Sequence, residues 1–497
     1  IMSRKVFCMI TCINDMLVMR IVVVIATLAW LVQAVLPGLA LSAFEIAGNA
    51  GDHLMQDDLC SVGPVEDKAC LLELRQLRAH RMTQGLYPPA DATNESNSSL
   101  GSAGIRDAAL SALIAVIRRA WDIVSVAPGN SCYMSPEQKC SVGDFRKGEL
   151  TAVHPGGRTG CMNRAYPFFF EVRPGSNAKL LMYFQGGGAC WGKGQHVLAD
   201  ELCFQHTRPG FLDLDLLNEL YGADYTLVYV LYCTGDGHAG VGNWNGYENA
   251  KAAVAWAKDN LATTLESLVV TGASAGALGA AIWARTLLNT WPHRSAAVII
   301  DAYAGVLPKG SQQIIMRRFG ICNTGLLPDS LATQCADESL GVTLQEITEA
   351  SIRDFPRASF GHINFKQDGI QRLYYNLVEL GTKKCGAMTL PVLAPLSFFG
   401  QVGSVEYLWD LYEIFEAYRK YPNWGAYLKD GHAHALTSFQ STAPFFSFSR
   451  GDSQLQQWIH GMIKGHAVVH CHGSGGKAQF ANRICATGLD EQTWCDD

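Results

Sequence analysis

Several features are missing from this sequence of 497 residues, and each absence excludes a class of function. The formal net charge of −6 shows no excess of lysine and arginine, so nucleic acid is not an expected partner. The 14 histidines form no His-Glu-x-x-His motif and no regular zinc-ligand spacing, so we expect neither a metal nor another cofactor. The sequence contains no internal repeat, so a repeat architecture is not expected.

A long hydrophobic run lies near the N-terminus. Residues 21–36 are almost wholly apolar, and Pro37 and Gly38 interrupt the run before small residues follow. This pattern is typical of a signal peptide, here residues 1–43, and predicts a protein that is secreted or lies in the endomembrane lumen. No stable membrane partner is expected once such a leader is removed. The alternative is an uncleaved anchor, because residues 21–43 are long enough to span a bilayer.

The cysteine content agrees with export. Two of the 16 cysteines lie in the leader, and the remaining fourteen form an even set that indicates disulfide bonds. Sequence spacing does not fix the connectivity, so the close pairs are hypotheses: Cys60/Cys70, Cys132/Cys140, Cys190/Cys203 and Cys322/Cys335. Asn94 and Asn97 begin glycosylation sequons in a polar stretch, which predicts an exposed linker there.

The pattern of residues changes along the chain. Residues 44–140 form an N-terminal extension with a Ser/Asn-rich linker and no recognisable chemistry. Across residues 141–497, strand patterns alternate with helical ones, and the segment ends in a tail that contains cysteines. This alternation predicts an α/β fold with a mostly parallel sheet and helices on both faces. Residues 396–427 are dense in aromatic side chains, which we expect to pack over the sheet edge.

The most informative stretch surrounds Ser274. A β-branched strand pattern at 267–271 leads into Gly272-Ala-Ser274-Ala-Gly276, and an alanine-rich helix is predicted at 275–289. Strand, Gly-x-Ser-x-Gly and helix in this order form the context of a nucleophile elbow, which exposes a serine hydroxyl at the end of a strand. The alternative is a glycine-rich turn between a buried strand and a helix.

A second glycine-rich loop follows the strand predicted at 179–184. Three consecutive glycines there resemble the HGGG-type oxyanion loop of hydrolases, because glycine lets backbone amides approach a substrate closely. We therefore predict the amides of Gly187, Gly188 and Ala275 as oxyanion donors. A phosphate-binding loop is the alternative, but the Lys-Ser/Thr ending that it requires is absent.

A reactive serine also needs a base and an acid that orients it. His432 and His434 both lie late in the chain, after the serine, and either is suitable. A metal site at this pair lacks an evident third ligand. For the acid, Asp301 ends the strand after the serine's helix, whereas Asp368 lies between serine and histidine. The residue types alone leave both choices open.

Four segments, in order, resemble the pectin acetylesterase/Notum family of serine carboxylesterases. They are Tyr-Phe-Gln-Gly-Gly-Gly-Ala-Cys-Trp at 183–191, Leu-Tyr-Cys-Thr-Gly-Asp-Gly-His-Ala-Gly at 231–240, Gly-Ala-Ser-Ala-Gly at 272–276 and Asn-Phe-Lys-Gln-Asp-Gly-Ile-Gln at 364–371. The resemblance spans residues 150–440 and implies an α/β-hydrolase-like fold with the triad Ser274, Asp368 and His434. It favours His434 over His432 because the family places a small residue before its histidine.

The chain departs from that family at three positions near the site: Gln185 replaces the usual Glu, Ala189 stands where plant members have Trp, and Ala277 replaces a glycine. Four further residues are candidates for a supporting role: Asp236, His238, Asp301 and Trp191. We expect Asp236 and His238 to brace loops through hydrogen bonds. Asp301 is left with a structural or substrate-contacting role.

The resemblance implies a carboxylic ester hydrolase. The Tyr-Cys-Thr-Gly-Asp segment is nearer to plant and microbial members, which are associated with acetyl groups on polysaccharides. The expected substrate is therefore an acetyl ester on a polysaccharide. Two alternatives stay open: a Notum-like deacylase that removes a longer lipid acyl group from a protein, and a secreted binding scaffold without catalysis.

Overall fold

A computed structural model describes residues 129–190, 203–209, 212–242, 244–337, 339–382, 404–438 and 451–472. All of them fall in one compact unit, Leu100–Asp497. The predicted leader, the linker with its glycosylation sites, the Cys60/Cys70 pair, Trp191 and the C-terminal tail after residue 472 lie outside the described residues.

The described residues build a sheet of ten strands. The strands are β1 (Asn130–Tyr133), β2 (Thr151–His154), β3 (Phe170–Arg173), β4 (Ser176–Phe184), β5 (Tyr225–Val230), β6 (Leu265–Ala273), β7 (His293–Asp301), β8 (Ser359–Phe365), β9 (Trp424–Lys429) and β10 (Val469–His472). Their order across the sheet is β1-β2-β3-β5-β4-β6-β7-β8-β9-β10. Only β3 among them runs antiparallel to its neighbours. The predicted α/β class with a mostly parallel sheet is confirmed.

Helices cover the sheet on both faces. The described helices are α1 (Leu214–Tyr221), α2 (Gly246–Asn260), α3 (Ala275–Thr290), α4 (Ser311–Arg318), α5 (Asp329–Ala336), α6 (Leu344–Asp354), α7 (Gly369–Thr382), α8 (Ser404–Tyr418) and α9 (Ser453–Ile463). Successive residues of a strand face opposite sides. On β8, Gly361 lies against Trp458 of α9, whereas the next residue, His362, packs on Phe415 of α8. None of the described helices combines the length and the apolar character needed to cross a membrane.

The central strands are apolar throughout because both of their faces are covered. β5 is buried at all six positions, and β6 is buried at every position except Glu266. Such strands lack the alternation of a half-exposed sheet, so the continuous apolar runs of the sequence locate them correctly. In the aromatic stretch predicted at 396–427, the described part packs Phe415, Tyr418 and Trp424 around the buried His362.

Strand register brings the candidate functional residues to one edge of the sheet. Phe184 at the end of β4 pairs with Gly272, and Ala273 at the end of β6 pairs with Asp301. Asp301 in turn pairs with Ile363 of β8, two residues before that strand ends. Since these strands are parallel, the loops that follow them emerge together at their carboxyl edge.

Four disulfide bonds lie among the described residues. Three were predicted from close spacing and are confirmed: Cys132–Cys140, Cys190–Cys203 and Cys322–Cys335. The fourth, Cys161–Cys233, joins cysteines 72 residues apart, which spacing does not reveal. Disulfides persist in oxidising compartments, so this set is consistent with a secreted protein. Cys132 lies on β1, so the sheet begins ahead of residue 141, where the sequence pattern changes.

Candidate active site

Ser274 lies at a sharp turn between β6 and α3. Its backbone has φ 57° and ψ −122°, a left-handed conformation that non-glycine residues rarely adopt. The main chain holds this turn on both sides, since the Ser274 amide donates to the Asp301 carbonyl at 2.9 Å and the Ser274 carbonyl accepts from the Ala277 amide at 2.9 Å. Strain of this kind costs about 1–3 kcal/mol and clusters at functional sites. Ser274 is a partly exposed residue.

The two glycines of the elbow are required by close backbone approach. A Cβ at Gly272 would overlap the carbonyl oxygen of Gly276, and a Cβ at Gly276 would overlap the carbonyl oxygen of Phe184. The start of α3 therefore lies directly on the end of β4. Both positions need glycine because a backbone carbonyl oxygen occupies the space of a Cβ atom. This close approach is the physical reason for the Gly-x-Ser-x-Gly pattern here.

Asp368 and His434 form a buried hydrogen-bonded pair. The Nδ1 atom of His434 lies 2.8 Å from Oδ2 and 3.0 Å from Oδ1 of Asp368, and the two side chains are 2% and 0% exposed. Asp368 Oδ1 also accepts the amides of Ile370 and Gln371 at 3.0 and 2.9 Å. Because an ionised carboxylate can only accept hydrogen bonds, the Nδ1–H of His434 is the donor to Asp368. In a neutral imidazole the lone pair then lies on Nε2.

The other histidine of the pair lies differently. His432 is exposed, and its carbonyl oxygen accepts the Gly369 amide at 2.9 Å at the start of α7. His432 is therefore not buried with Asp368 and His434. Of the two histidines that the sequence offered, the buried one is the partner of the carboxylate.

Asp301 contacts the chain segment that follows His434. Its Oδ2 atom accepts the Leu436 amide at 2.8 Å, the Thr437 amide at 2.6 Å and the Thr437 hydroxyl at 2.8 Å. Burial raises the pKa of Asp301 to about 6, although these hydrogen bonds oppose the shift. The two carboxylates left open by the sequence thus have different surroundings: one orients an imidazole and the other holds the backbone beside it.

Three alanines join the serine turn to the histidine loop. Ala273, Ala302 and Ala435 form a small buried cluster in which each is at most 1% exposed. Ala273 precedes Ser274 and Ala435 follows His434, so the serine turn and the histidine loop share this buried cluster. Ala302 and Ala435 also have a φ of 61°, which places further backbone strain at this edge of the sheet.

The glycine loop after β4 packs against the serine turn. A Cβ built on Gly186 would lie 3.2 Å from the Cβ of Ser274. Gly187 and Gly188 have positive φ values of 149° and 77°, and the Cβ direction of Gly187 is filled by the rings of Phe204 and Tyr232. Substitution there would be resisted by backbone conformation and by packing together. Gly188 is partly exposed, as is Ala275, the first residue of α3, where amides lack partners within the helix.

Gln185 anchors the glycine loop through both ends of its amide. Its Oε1 accepts the Tyr232 amide at 2.8 Å, and its Nε2 donates to the Arg208 carbonyl at 2.9 Å. A glutamate, the usual residue in the family that the sequence resembles, would have no proton for the Arg208 carbonyl when ionised. Sequence reasoning recorded this position only as a departure, and its positioning function was missed.

His238 and Asp236 hold the neighbouring loop. His238 Nε2 lies 2.8 Å from the Gln185 carbonyl oxygen, and burial lowers the pKa of this histidine to about 4, so a neutral ring donates there. Asp236 accepts the Thr234 hydroxyl at 2.6 Å and the Gly246 amide at 2.8 Å, at the N-terminus of α2. Burial raises the pKa of Asp236, while these hydrogen bonds lower it. These contacts fit the bracing role predicted for both residues.

Two polar residues of the 364–371 motif, which contains the acid, donate side-chain hydrogen bonds. Asn364 donates from Nδ2 to the Tyr407 hydroxyl at 3.0 Å, and Gln371 donates from Nε2 to Asp368 Oδ2 at 3.3 Å. Tyr407 comes from α8, far along the chain, and is fully buried. Sequence reasoning missed Tyr407 because nothing in its local sequence links it to Asp368. The described residues contain no cluster of three metal-ligating side chains.

No family model and no curated protein matches the chain. Among solved structures, the chain is similar to the Wnt deacylase Notum from Drosophila, at 15% sequence identity and a TM-score of 0.36, over 55% of this chain and 82% of that one. The chemistry of the site is therefore inferred from its own residues.

Proposed function

We propose that this protein is a serine carboxylic ester hydrolase with Ser274, His434 and Asp368 as its triad. The observation that carries the proposal is the buried Asp368–His434 hydrogen bond, located at the same sheet edge as a serine held in a strained turn. Asp368 fixes the imidazole with its proton on Nδ1, so Nε2 takes the proton from the Ser274 hydroxyl as the oxygen attacks an ester carbonyl. The amides of Gly187, Gly188 and Ala275 stabilise the oxyanion that forms.

The second half of the reaction uses the same groups. His434 returns its proton to the departing alcohol oxygen, which leaves an acyl group on Ser274. Water then loses a proton to His434 and attacks the acyl carbonyl, and the carboxylic acid is released with the serine restored. No bound group beyond water and the ester is required by this sequence of steps.

The proposed substrate is an acetyl ester, carried by a polysaccharide outside the cell. Support comes from the Tyr-Cys-Thr-Gly-Asp segment, which ends at Asp236, and from the disulfides, which agree with secretion. A longer lipid acyl group on a protein is the competing substrate, and it is treated as an outcome of the test below.

The first test combines active-site labelling with a series of esters. We expect a fluorophosphonate probe to label the wild-type protein at Ser274, since only an activated serine reacts. We also expect p-nitrophenyl acetate to have a higher kcat/KM than the butyrate, octanoate and palmitate esters. Mass spectrometry of the labelled peptide identifies the serine, and initial rates give the chain-length profile.

The outcomes of this test separate the three candidate functions. Absence of both labelling and hydrolysis would leave a binding scaffold and end the esterase proposal. Labelling together with a preference for palmitate would keep the hydrolase but replace the acetyl substrate with a lipid acyl group.

A second prediction concerns the disulfide beside the glycine loop. Cys190 at the end of this loop is bonded to Cys203, and the Phe204 amide donates to the Gly187 carbonyl at 2.8 Å. We expect the double replacement of both cysteines by serine to lower kcat for p-nitrophenyl acetate by roughly tenfold or more, since displaced oxyanion donors cost about 10²–10³. Steady-state kinetics and thermal unfolding check this.

The chain offers a matched control for that variant. Cys322–Cys335 has the same sequence separation of 13 residues, so the loop-entropy contribution to stability, about 3 kcal/mol, should be the same for both. This disulfide ties α5 to the short turn at Ile321–Asn323 and joins no residue of the glycine loop. Its removal should lower Tm similarly and leave kcat per folded molecule unchanged. Equal losses of kcat in the two variants would contradict a specific role for Cys190–Cys203.

A further inference from the structure

We propose that Asp301 is a positioning residue that sets the approach of His434 to Ser274. The inference rests on the proposed hydrolase function, because it concerns how that triad is assembled. Asp301 is the last residue of β7 and is fully buried. It contacts the serine turn through its main chain and the histidine loop through its side chain, so one residue holds both halves of the triad.

The main-chain contact fixes the serine turn. The Asp301 carbonyl accepts the Ser274 amide at 2.9 Å, and strand pairing places Ala273 beside Asp301. Ser274 has a left-handed backbone, so its conformation must be imposed by its surroundings. The hydrogen bond from β7 provides part of that constraint at the serine itself.

The side-chain contact fixes the histidine loop. A single oxygen, Oδ2, accepts three hydrogen bonds from Leu436 and Thr437, which lie two and three residues after His434. Tyr183 extends the same contact, since its hydroxyl donates to the Thr437 carbonyl at 3.2 Å. The loop would otherwise bury two backbone amides without partners, so Asp301 determines where His434 emerges.

The cost of this arrangement argues against a purely structural role. Asp301 Oδ1 is buried and accepts no hydrogen bond from the described residues. The raised pKa means that ionisation of Asp301 opposes folding: the contribution of this group to stability is fully present below about pH 4 and is lost as the pH rises through about 6. The acceptor for Leu436 and Thr437 is thus provided at a cost to stability, which points to placement of the histidine loop as the role of Asp301.

The test compares Asp301→Leu with Asp301→Asn. Leucine removes the acceptor, and we expect kcat for p-nitrophenyl acetate to fall at least a hundredfold with KM within about threefold, because small displacements of a catalytic group cost that much. Asparagine keeps an acceptor oxygen for the three donors, so it should restore kcat to within about tenfold of the wild type. Hydrogen exchange at Leu436 and Thr437 should be fast only in the leucine variant.

Further variants protect this test against misfolding. If Asp301→Leu does not fold, Thr437→Val removes one of the three donors and should still lower kcat severalfold. Glu171 is the matched control: it is also a buried carboxyl with a raised pKa, about 7, but it lies on β3. Glu171→Leu and Glu171→Gln, once folded, should leave kcat per molecule unchanged.

The results distinguish a wrong inference from a wrong function. A folded Asp301→Leu protein with wild-type kcat would overturn the role of Asp301, provided that Ser274→Ala is inactive in the same assay. Full hydrolysis by Ser274→Ala would instead overturn the proposed function, whatever the Asp301 variants do. Loss of kcat in Asp301→Leu without rescue by asparagine would also contradict a positioning role that acts through the acceptor.

Discussion

Replacing Ser274 by alanine is expected to lower kcat for p-nitrophenyl acetate by about 10⁴- to 10⁶-fold. The Ser274 hydroxyl is the only protein group in the proposed mechanism that bonds to the acyl carbon, and without it the enzyme must rely on oxyanion stabilisation and binding alone. Fluorophosphonate labelling should be lost in the same variant. Steady-state rates at saturating substrate, corrected for uncatalysed hydrolysis, measure the effect.

The alanine variant should fold normally, which makes the result easy to interpret. The contacts that hold the turn are main-chain hydrogen bonds to Asp301 and Ala277, and alanine retains both. A suitable control is Ser295→Ala on β7, whose hydroxyl donates to Ser267 at 3.1 Å near the opposite end of the strands. Undiminished turnover by Ser274→Ala would remove this serine from the chemistry and leave the elbow as a tight turn.

The serine turn could be predicted from the sequence because its determinants are local. A buried strand pattern, two glycines and an alanine-rich helix lie within a short segment, and β6 and α3 were predicted within a few residues of their observed bounds. The glycines are needed for contacts with neighbouring backbone that any such turn would make. Local sequence therefore carries most of the information about this part of the site.

The acid could not be chosen in the same way. Asp301 ends β7 and Asp368 follows the adjacent parallel strand β8, so both are brought to the same edge of the sheet. Their surroundings are decided by the loop from His434 to Thr437. The imidazole of His434 is hydrogen-bonded to Asp368, whereas the backbone of Thr437 donates to Asp301. That loop comes from residues more than 60 positions away, and no local pattern encodes the pairing.

The supporting contacts escaped prediction for a related reason. Gln185, Tyr407 and Cys161 each act on a partner that the fold brings close: Tyr232, Asn364 and Cys233. Their residue types are common, and only the tertiary arrangement gives them a role. Sequence patterns thus identified the groups proposed for chemistry and the bracing candidates Asp236 and His238, whereas the roles of Gln185, Tyr407 and Cys161 required the structure.

Replacing Asp368 by asparagine is expected to lower kcat by about 10⁴-fold, even though the side chain keeps its shape. The Ile370 and Gln371 amides both donate to Oδ1, so the asparagine oxygen should occupy that position. Its NH₂ group would then take the place of Oδ2 and face His434 Nδ1 at about 2.8 Å. An NH₂ donor forces Nδ1 to accept, which places the imidazole proton on Nε2, where it blocks proton removal from Ser274.

The comparison with Asp301→Asn makes this prediction specific. Both variants exchange a buried carboxylate for an amide of the same shape, yet only Asp368→Asn changes the group that faces Nδ1. We therefore expect a loss of about 10⁴-fold at Asp368 and of tenfold or less at Asp301, with similar KM values in both. A kcat for Asp368→Asn within tenfold of the wild type would show that the His434 tautomer is not set by this carboxylate. The proposed triad would then lose its acid.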